Sequence, residues 1–303
     1  FAGDVNYKRF APDDHTSIAG NMLRYQNPDG GWPKNIDWLA DIDADSLMSS
    51  LSEHNRQSTF DNDNTHPQID FMARMYALTG DERYRKSAEK GLHYILNTRH
   101  ASGGWRGWDV DAITFNDNVT QGIMHLLLDI HENQSHYNWV SPELRARTDS
   151  ALQCAVAVTL KCQIEVNGIK KGWCQQHDHR TYKPVKARSY ELPAVASRET
   201  VSILEFLMRL PSPDPAVINA VREAAAWLER SKIENLRIEE IEIPPDTYPG
   251  LNLSIDRIAV TDSTSRPIWA RFYEITDNTP FLCTRGGKKV YSLAGVNPER
   301  RGG

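Results

Sequence analysis

Residues 59–65 read TFDNDNT, and residues 114–120 read TFNDNVT. Each phrase lies directly before an apolar run with helical spacing. Ile69, Met72, Met75, Tyr76 and Leu78 follow the first, and Ile123, Leu126, Leu127 and Ile130 follow the second. An Asp or Asn at a helix entrance normally caps one orphan backbone N–H, and one such residue is enough. Asp61, Asn62, Asp63 and Asn64 supply more oxygen than a cap uses. A cap by Thr59, Asp61 or Thr114 accounts for either loop alone. It does not account for two loops that share Thr-Phe followed closely by Asn-Asp-Asn. Acids and amides grouped in this way suit a hard cation or the hydroxyls of a sugar. Asp63, Asn64 and Asp117 are the preferred oxygen donors.

The repetition extends beyond the acidic phrases. Helical stretches end in YQNPDGGW, NTRHASGGW and KCQIEVNGIKKGW, each closing on a Gly-Trp pair. These pairs are Gly31-Trp32, Gly104-Trp105 and Gly172-Trp173. After each pair the chain crosses a polar loop into another helix. The third loop, ASRET at 196–200, is less like the other two. Self-similarity at so long a period implies stacked supersecondary units. Helical hairpins repeated three times can close into a ring whose inner helices open on one face. The expected fold is therefore mainly α, an open (α/α)3 barrel or toroid. From Ile243 the pattern becomes irregular, and Pro244-Pro245 and Pro249-Gly250 are turn signals. That stretch holds Arg266, Arg271, Arg285, Lys288 and Lys289. The expectation is one catalytic module over 1–303. Residues up to about 235 would be α/α repeats, and about 236–303 an irregular basic lobe forming a substrate groove.

Bulk properties narrow the function classes. A chain of 303 residues, 40% hydrophobic and 25% charged, has the composition of an ordinary globule. Its net charge of −5 argues against general nucleic-acid binding. There is no apolar run long enough to span a membrane. The chain opens on Phe1 without a signal-peptide pattern, which reads as a processed product or an excised module. Four cysteines, Cys154, Cys162, Cys174 and Cys283, do not make a disulfide framework at this length.

Other motifs weigh less. DIDADS at 41–46 resembles the start of a helix-loop-helix calcium loop, but Ser46 and Ser52 stand where glycine and glutamate belong. Cys174, His177 and His179 match no common zinc spacing and read as a polar loop. In SRET, Ser197 and Glu199 look like ordinary helix-start residues. Arg198 has no capping role and sits where the other repeats hold acids. It is either an ion-pair partner or a contact for an anionic ligand. The three repeated tryptophans read as packing residues. Trp108, off register, reads as exposed and as a sugar platform.

NPDGGWPKN, TFDNDNTHPQI, GGWRGWDVDAITFNDNVTQGIM, KKGWCQQHD and YELPAVASRETV together resemble the pectate lyases of polysaccharide lyase family 10. The match runs from about Gly20 to Arg285 in long contiguous motifs. The resemblance implies an open (α/α)3 barrel with a wide groove and calcium-assisted anti β-elimination in polygalacturonate. It implies 4,5-unsaturated oligogalacturonides as products. It makes Arg198 the base that removes the proton. Asp63, Asn64 and Asp117 would lie at the calcium and substrate site. Arg271 and Arg285 would contact substrate carboxylates, with Asp63 and Trp108 also on the substrate. It further implies secretion and action as a monomer, without nucleic-acid or membrane partners.

The residue types suit this chemistry. The proton at C5 lies α to a carboxylate whose negative charge keeps it weakly acidic. A cation and basic side chains would draw off the charge that develops. The demanding feature is the base, because arginine holds its proton up to a pKa above about 12. Two alternatives stand beside this reading. One is an inverting glycoside hydrolase using Asp63 and Asp117 as general acid and base. The other is a non-catalytic sugar-binding module.

Overall fold

In the computed structural model, residues 7–43, 48–49 and 51–302 are described; positions 44–46 of the DIDADS phrase fall outside them. The chain divides into two compact units, Phe1–Thr159 and Leu160–Gly303. Helices of the first unit are α1 (His15–Tyr25), α2 (His66–Thr79), α3 (Glu82–Thr98), α4 (Val119–His131) and α5 (Pro142–Cys162), the last ending just past the boundary. Local chemistry sets their ends. Asp14 and Asp81 cap α1 and α3 by accepting the N–H groups of Ser17 and Arg83 at 3.1 and 2.9 Å. Helix α2 stops at Gly80, which takes the left-handed conformation at φ 71° and donates its N–H to the Tyr76 carbonyl.

Apolar stripes meet in a core that includes Ile69, Met72, Leu92, Ile95, Phe115, Ile123 and Leu127, all essentially solvent-free. One residue counted in those stripes lies outside it: Leu78 is 74% exposed. Leu78 stands nine residues beyond Ile69, half a turn out of phase on a helix, so it faces water.

The three Gly-Trp turns repeat down to single hydrogen bonds. The backbone N–H of Trp32, Trp105 and Trp173 donates to the hydroxyl of Thr65, Thr120 and Thr200 at 3.2, 3.4 and 3.0 Å. Their carbonyls accept from the N–H of Thr59, Thr114 and Ala196 at 3.1, 2.9 and 2.8 Å. The indoles of Trp32 and Trp105 each donate to a carbonyl ten positions upstream, Met22 and Ile95. All three tryptophans are fully buried, as the packing assignment requires. Gly172 is obligatory: a Cβ there would lie 2.0 Å from Thr200 Oγ1. Each tryptophan thus locks one hairpin to the entrance of the next helix. The helix-rich architecture is that of the α/α toroid class.

The second unit carries α6 (Ser197–Arg209) and α7 (Pro215–Arg230) and most of the strands. A tight hairpin pairs β1 (Glu165–Val166) with β2 (Ile169–Lys170). A four-stranded sheet runs in the order β8 (Lys289–Val290), β7 (Pro280–Cys283), β6 (Phe272–Tyr273), β3 (Val195–Ala196). Two seven-residue strands, β4 (Leu236–Glu242) and β5 (Ile255–Thr261), pair antiparallel from Leu236↔Thr261 to Glu242↔Ile255. The stretch expected to be irregular is therefore partly sheet. LRIEEIE hides its strand because acids interrupt the period-two alternation. Arg301 fastens the C-terminal segment to this hairpin, donating to both Asp256 oxygens at 2.8 and 2.7 Å. The four cysteines are free thiols.

Candidate functional site

The two acidic loops lie together in the first unit and share one unusual backbone. Counting from Thr-Phe, Asn62 and Asp63 correspond to Asp117 and Asn118. All four have left-handed φ, at 57°, 51°, 50° and 57°. Asn and Asp tolerate this region best among residues with a side chain, which explains the composition of both loops. Thr65, at φ 69°, is β-branched and genuinely strained.

These loops do not spend their acids on caps. Neither N-cap, Thr65 of α2 or Asn118 of α4, makes a side-chain cap bond. The loops clasp each other instead. Asn118 Nδ2 donates to Asp63 Oδ1 at 2.7 Å, and the Asp63 N–H reaches the Asp117 carbonyl at 3.3 Å. The Asp63 side chain remains 64% exposed. Asp117 Oδ2 accepts from Asn116 at 2.7 Å. Asp61 is neutralised by Lys34, with Nζ 2.5 Å from Oδ2. Asn64 is buried. Its amide N–H groups go to the carbonyls of Trp32 and Thr59 at 2.7 and 3.0 Å, and its oxygen faces Gln68 at 3.4 Å. Of the three donors expected, Asp63 is presented to solvent and Asn64 holds the loop in shape.

His66 is buried next to the clasp; its Nε2 lies 3.9 Å from Asp63 Oδ1 and makes no hydrogen bond. Burial lowers its pKa to about 4, so the ring is neutral at ordinary pH. Gly122 makes room for it, since a Cβ there would meet the imidazole at 2.4 Å. Lys34 also lies 4.2 Å from the Trp108 ring centroid, and His54 packs on that indole at 4.3 Å. Trp108 is half-buried rather than fully exposed, and it lines a cavity of about 370 Å3 with His54, Tyr94, His100, Arg106 and Asp111. Lys34, His66 and Asn118 had no assigned role in the sequence. Lys34 was visible only as one letter of NPDGGWPKN, and the other two as neighbours of the acids.

In the second unit, Arg198 is exposed in the first turn of α6, without an ion pair among the described residues. The N-cap is Ala196 and not Ser197, whose hydroxyl donates instead to the Ala270 carbonyl at 2.8 Å. Beside Arg198, Glu199 is buried and accepts from Gln175 Nε2 at 2.9 Å. The Arg271 guanidinium lies 5.2 Å from the Phe272 ring, and its carbonyl receives the Ser197 N–H at 3.1 Å. Arg285 is exposed and lies 5.8 Å from the Tyr190 ring. His177 is fully buried, receiving the Cys174 N–H at Nε2 and bonding the Tyr182 carbonyl through Nδ1. Both ring nitrogens of His177 are occupied by backbone partners.

The fold is that of the α/α toroid class, and its exposed charged groups include Asp63, Arg198, Arg271 and Arg285. The sequence profile of the pectic acid lyase family matches residues 26–303, and the chain belongs to that family. It is a pectate lyase. Among solved structures it resembles a family 10 polysaccharide lyase from Cellvibrio cellulosa, at 28% identity and a TM-score of 0.77. That alignment covers 95% of this chain and 86% of the other. A point mutant of the same lyase, in complex with trigalacturonic acid, aligns with TM-score 0.76 over 95% and 87% of the two chains at 28% identity. No curated protein sequence matches the chain.

Proposed function

We propose that the chain cleaves polygalacturonate outside the cell, as a monomer, by calcium-assisted anti β-elimination with Arg198 as base. The observation that carries this reading is the clasp. One carboxylate, Asp63, is fixed by Asn118 on one oxygen and left exposed, with no cation paired to it nearer than His66. That donor set is hard, acidic and preorganised, and it fits calcium. Asp63 and Asp117 would hold the ion, with Asn64 fixing the loop from behind. When bound, calcium supplies positive charge to a uronate carboxylate.

The remaining chemistry belongs to the chain's own residues. Arg271 and Arg285 engage substrate carboxylates by charge-assisted hydrogen bonds, and Trp108 offers an aromatic face to a sugar ring. Arg198 accepts the C5 proton. The released electron pair forms the C4–C5 double bond and the C4–O bond breaks; the departing oxygen takes a proton from water to become a hydroxyl, and the other product carries an unsaturated sugar end.

Turnover of polygalacturonate with and without a chelator tests the whole reading. Growth of ultraviolet absorbance from the unsaturated product is expected, lost on chelation and restored by calcium. Reducing ends without absorbance would indicate hydrolysis instead. Full activity after exhaustive chelation would remove the metal from the reaction.

A further inference from the structure

Three guanidinium groups converge on the half-buried ring of Tyr190. The Cζ atoms of Arg300, Arg188 and Arg285 lie 4.3, 5.2 and 5.8 Å from its centroid. The segments that bring them are fastened to one another. Ser189 Oγ donates to the Arg285 carbonyl at 2.7 Å, and the Arg285 N–H donates to Asn297 Oδ1 at 2.9 Å. Gly287 approaches so closely that a Cβ would lie 2.3 Å from the Ser189 carbonyl oxygen.

The acids here do not balance the charge. Arg188 is paired with Glu191, whose side chain is 1% exposed. Glu274 is engaged by Lys289 at 2.6 Å and by the Tyr291 hydroxyl. Arg285, Arg300 and Glu299 make no ion pair among the described residues. Two unbalanced guanidiniums sharing one ring stand within roughly a Debye length of each other, so they repel. The ring face offsets part of that cost. An anion from outside removes the rest, and a guanidinium fork matches a carboxylate in two parallel hydrogen bonds.

We infer that Arg300 and Tyr190, with Arg285, form a subsite that grips a uronate carboxylate of the polymer during binding and takes no part in proton transfer. The inference rests on the pectate-lyase reading for the identity of the anion, and it adds two residues to the substrate contacts. Arg300 is a specificity-determining residue in this account, and Tyr190 is the platform that orients its fork.

Wild type, Arg300→Gln, Arg300→Lys and Tyr190→Leu are compared in two ways. One is steady-state turnover of polygalacturonate. The other is electrophoresis through gels loaded with polygalacturonate or its fully methyl-esterified form. Arg300→Gln is expected to raise KM roughly ten-fold, the scale of one charge-assisted hydrogen bond, with kcat within about two-fold. Its retardation by the charged gel, taken relative to its own mobility in a polymer-free gel, should fall, while its relative mobility in the esterified gel stays that of wild type. Tyr190→Leu should shift KM in the same direction. Arg300→Lys should recover only part, because an ammonium has no fork. Unchanged KM and retardation in Arg300→Gln overturn the subsite, as does a fall in kcat at constant KM. If wild type cleaves pectate and Arg300→Gln equals it, the subsite fails and the lyase reading stands. If retardation depends on Arg300 while wild type releases no unsaturated product, the subsite stands and the lyase reading fails.

Discussion

Asp61 and Asp63 are two positions apart and have opposite circumstances. Lys34 neutralises Asp61, whereas Asp63 is held by an amide and left open to solvent. Such a difference decides which acid can take a cation, and composition alone does not reveal it. Arg198 is the residue on which turnover should depend most. Because it is exposed and unpaired among the described residues, Arg198→Ala should melt as wild type does. Its kcat should fall by roughly 10²–10⁴-fold, the usual contribution of a positioned base. Arg198→Lys should restore little, since lysine has a shorter reach and a different donor geometry. A near-normal rate in folded Arg198→Ala would reduce this residue to a surface charge. Arg271→Ala and Arg285→Ala should each weaken binding of galacturonate oligomers by roughly 1.5–3 kcal/mol, read by calorimetry. Equal affinity for methyl-esterified oligomers would show that carboxylates are not what these arginines recognise.

At the scale of elements, the repeating device is the Gly-Trp turn with a threonine one loop later. The repetition of Gly-Trp is legible in the sequence because both residues are fixed by sterics: the glycine by a close approach, the tryptophan by complete burial of a large side chain. The partner threonines are much less so, since Thr65, Thr120 and Thr200 lie 33, 15 and 27 positions from their tryptophans. Gly172→Ala should therefore destabilise the protein by roughly 1–3 kcal/mol through overpacking against Thr200. Thr200→Ala in the same chain should recover part of that loss, because it removes the atom in the way. Denaturant midpoints of the two single variants and the double variant check the coupling. Strict additivity would mean the two side chains do not meet. The strand pair β4–β5 was not legible, because a strand whose alternation is broken by acids is recognised only by its hydrogen-bonded partner.

For the molecule as a whole, pH links the fold to the proposed chemistry. Burial lowers the pKa of both His66 and His177 to about 4, below the value near 6.5 of an unfolded histidine. Between those values the unfolded chain binds more protons than the folded one, so stability falls as pH falls. The loss begins near pH 6.5 and is complete near pH 4, on the order of 3 kcal/mol for each ring. Thermal melts from pH 8 to pH 4 should show the midpoint dropping through that window; a flat profile would mean these rings are solvated. An unprotonated arginine base asks for the opposite end of the scale, and turnover should rise from neutral into alkaline pH.

By itself the sequence determined the three-fold helical repeat, the family, the acidic character of the paired loops and the arginines at issue. Those features are written in contiguous residues, and their signals are local: helical period, repeated Gly-Trp pairs, and Asn and Asp crowded into two short phrases. Only the tertiary structure decided that Asn118 holds Asp63 across 55 positions, that Asn64 faces inward, and that Arg300 and Arg285 share the ring of Tyr190. Such contacts join residues far apart in the chain. Burial and the exclusion of water choose among many chemically equal acids and arginines, and that choice exists only once the chain has folded.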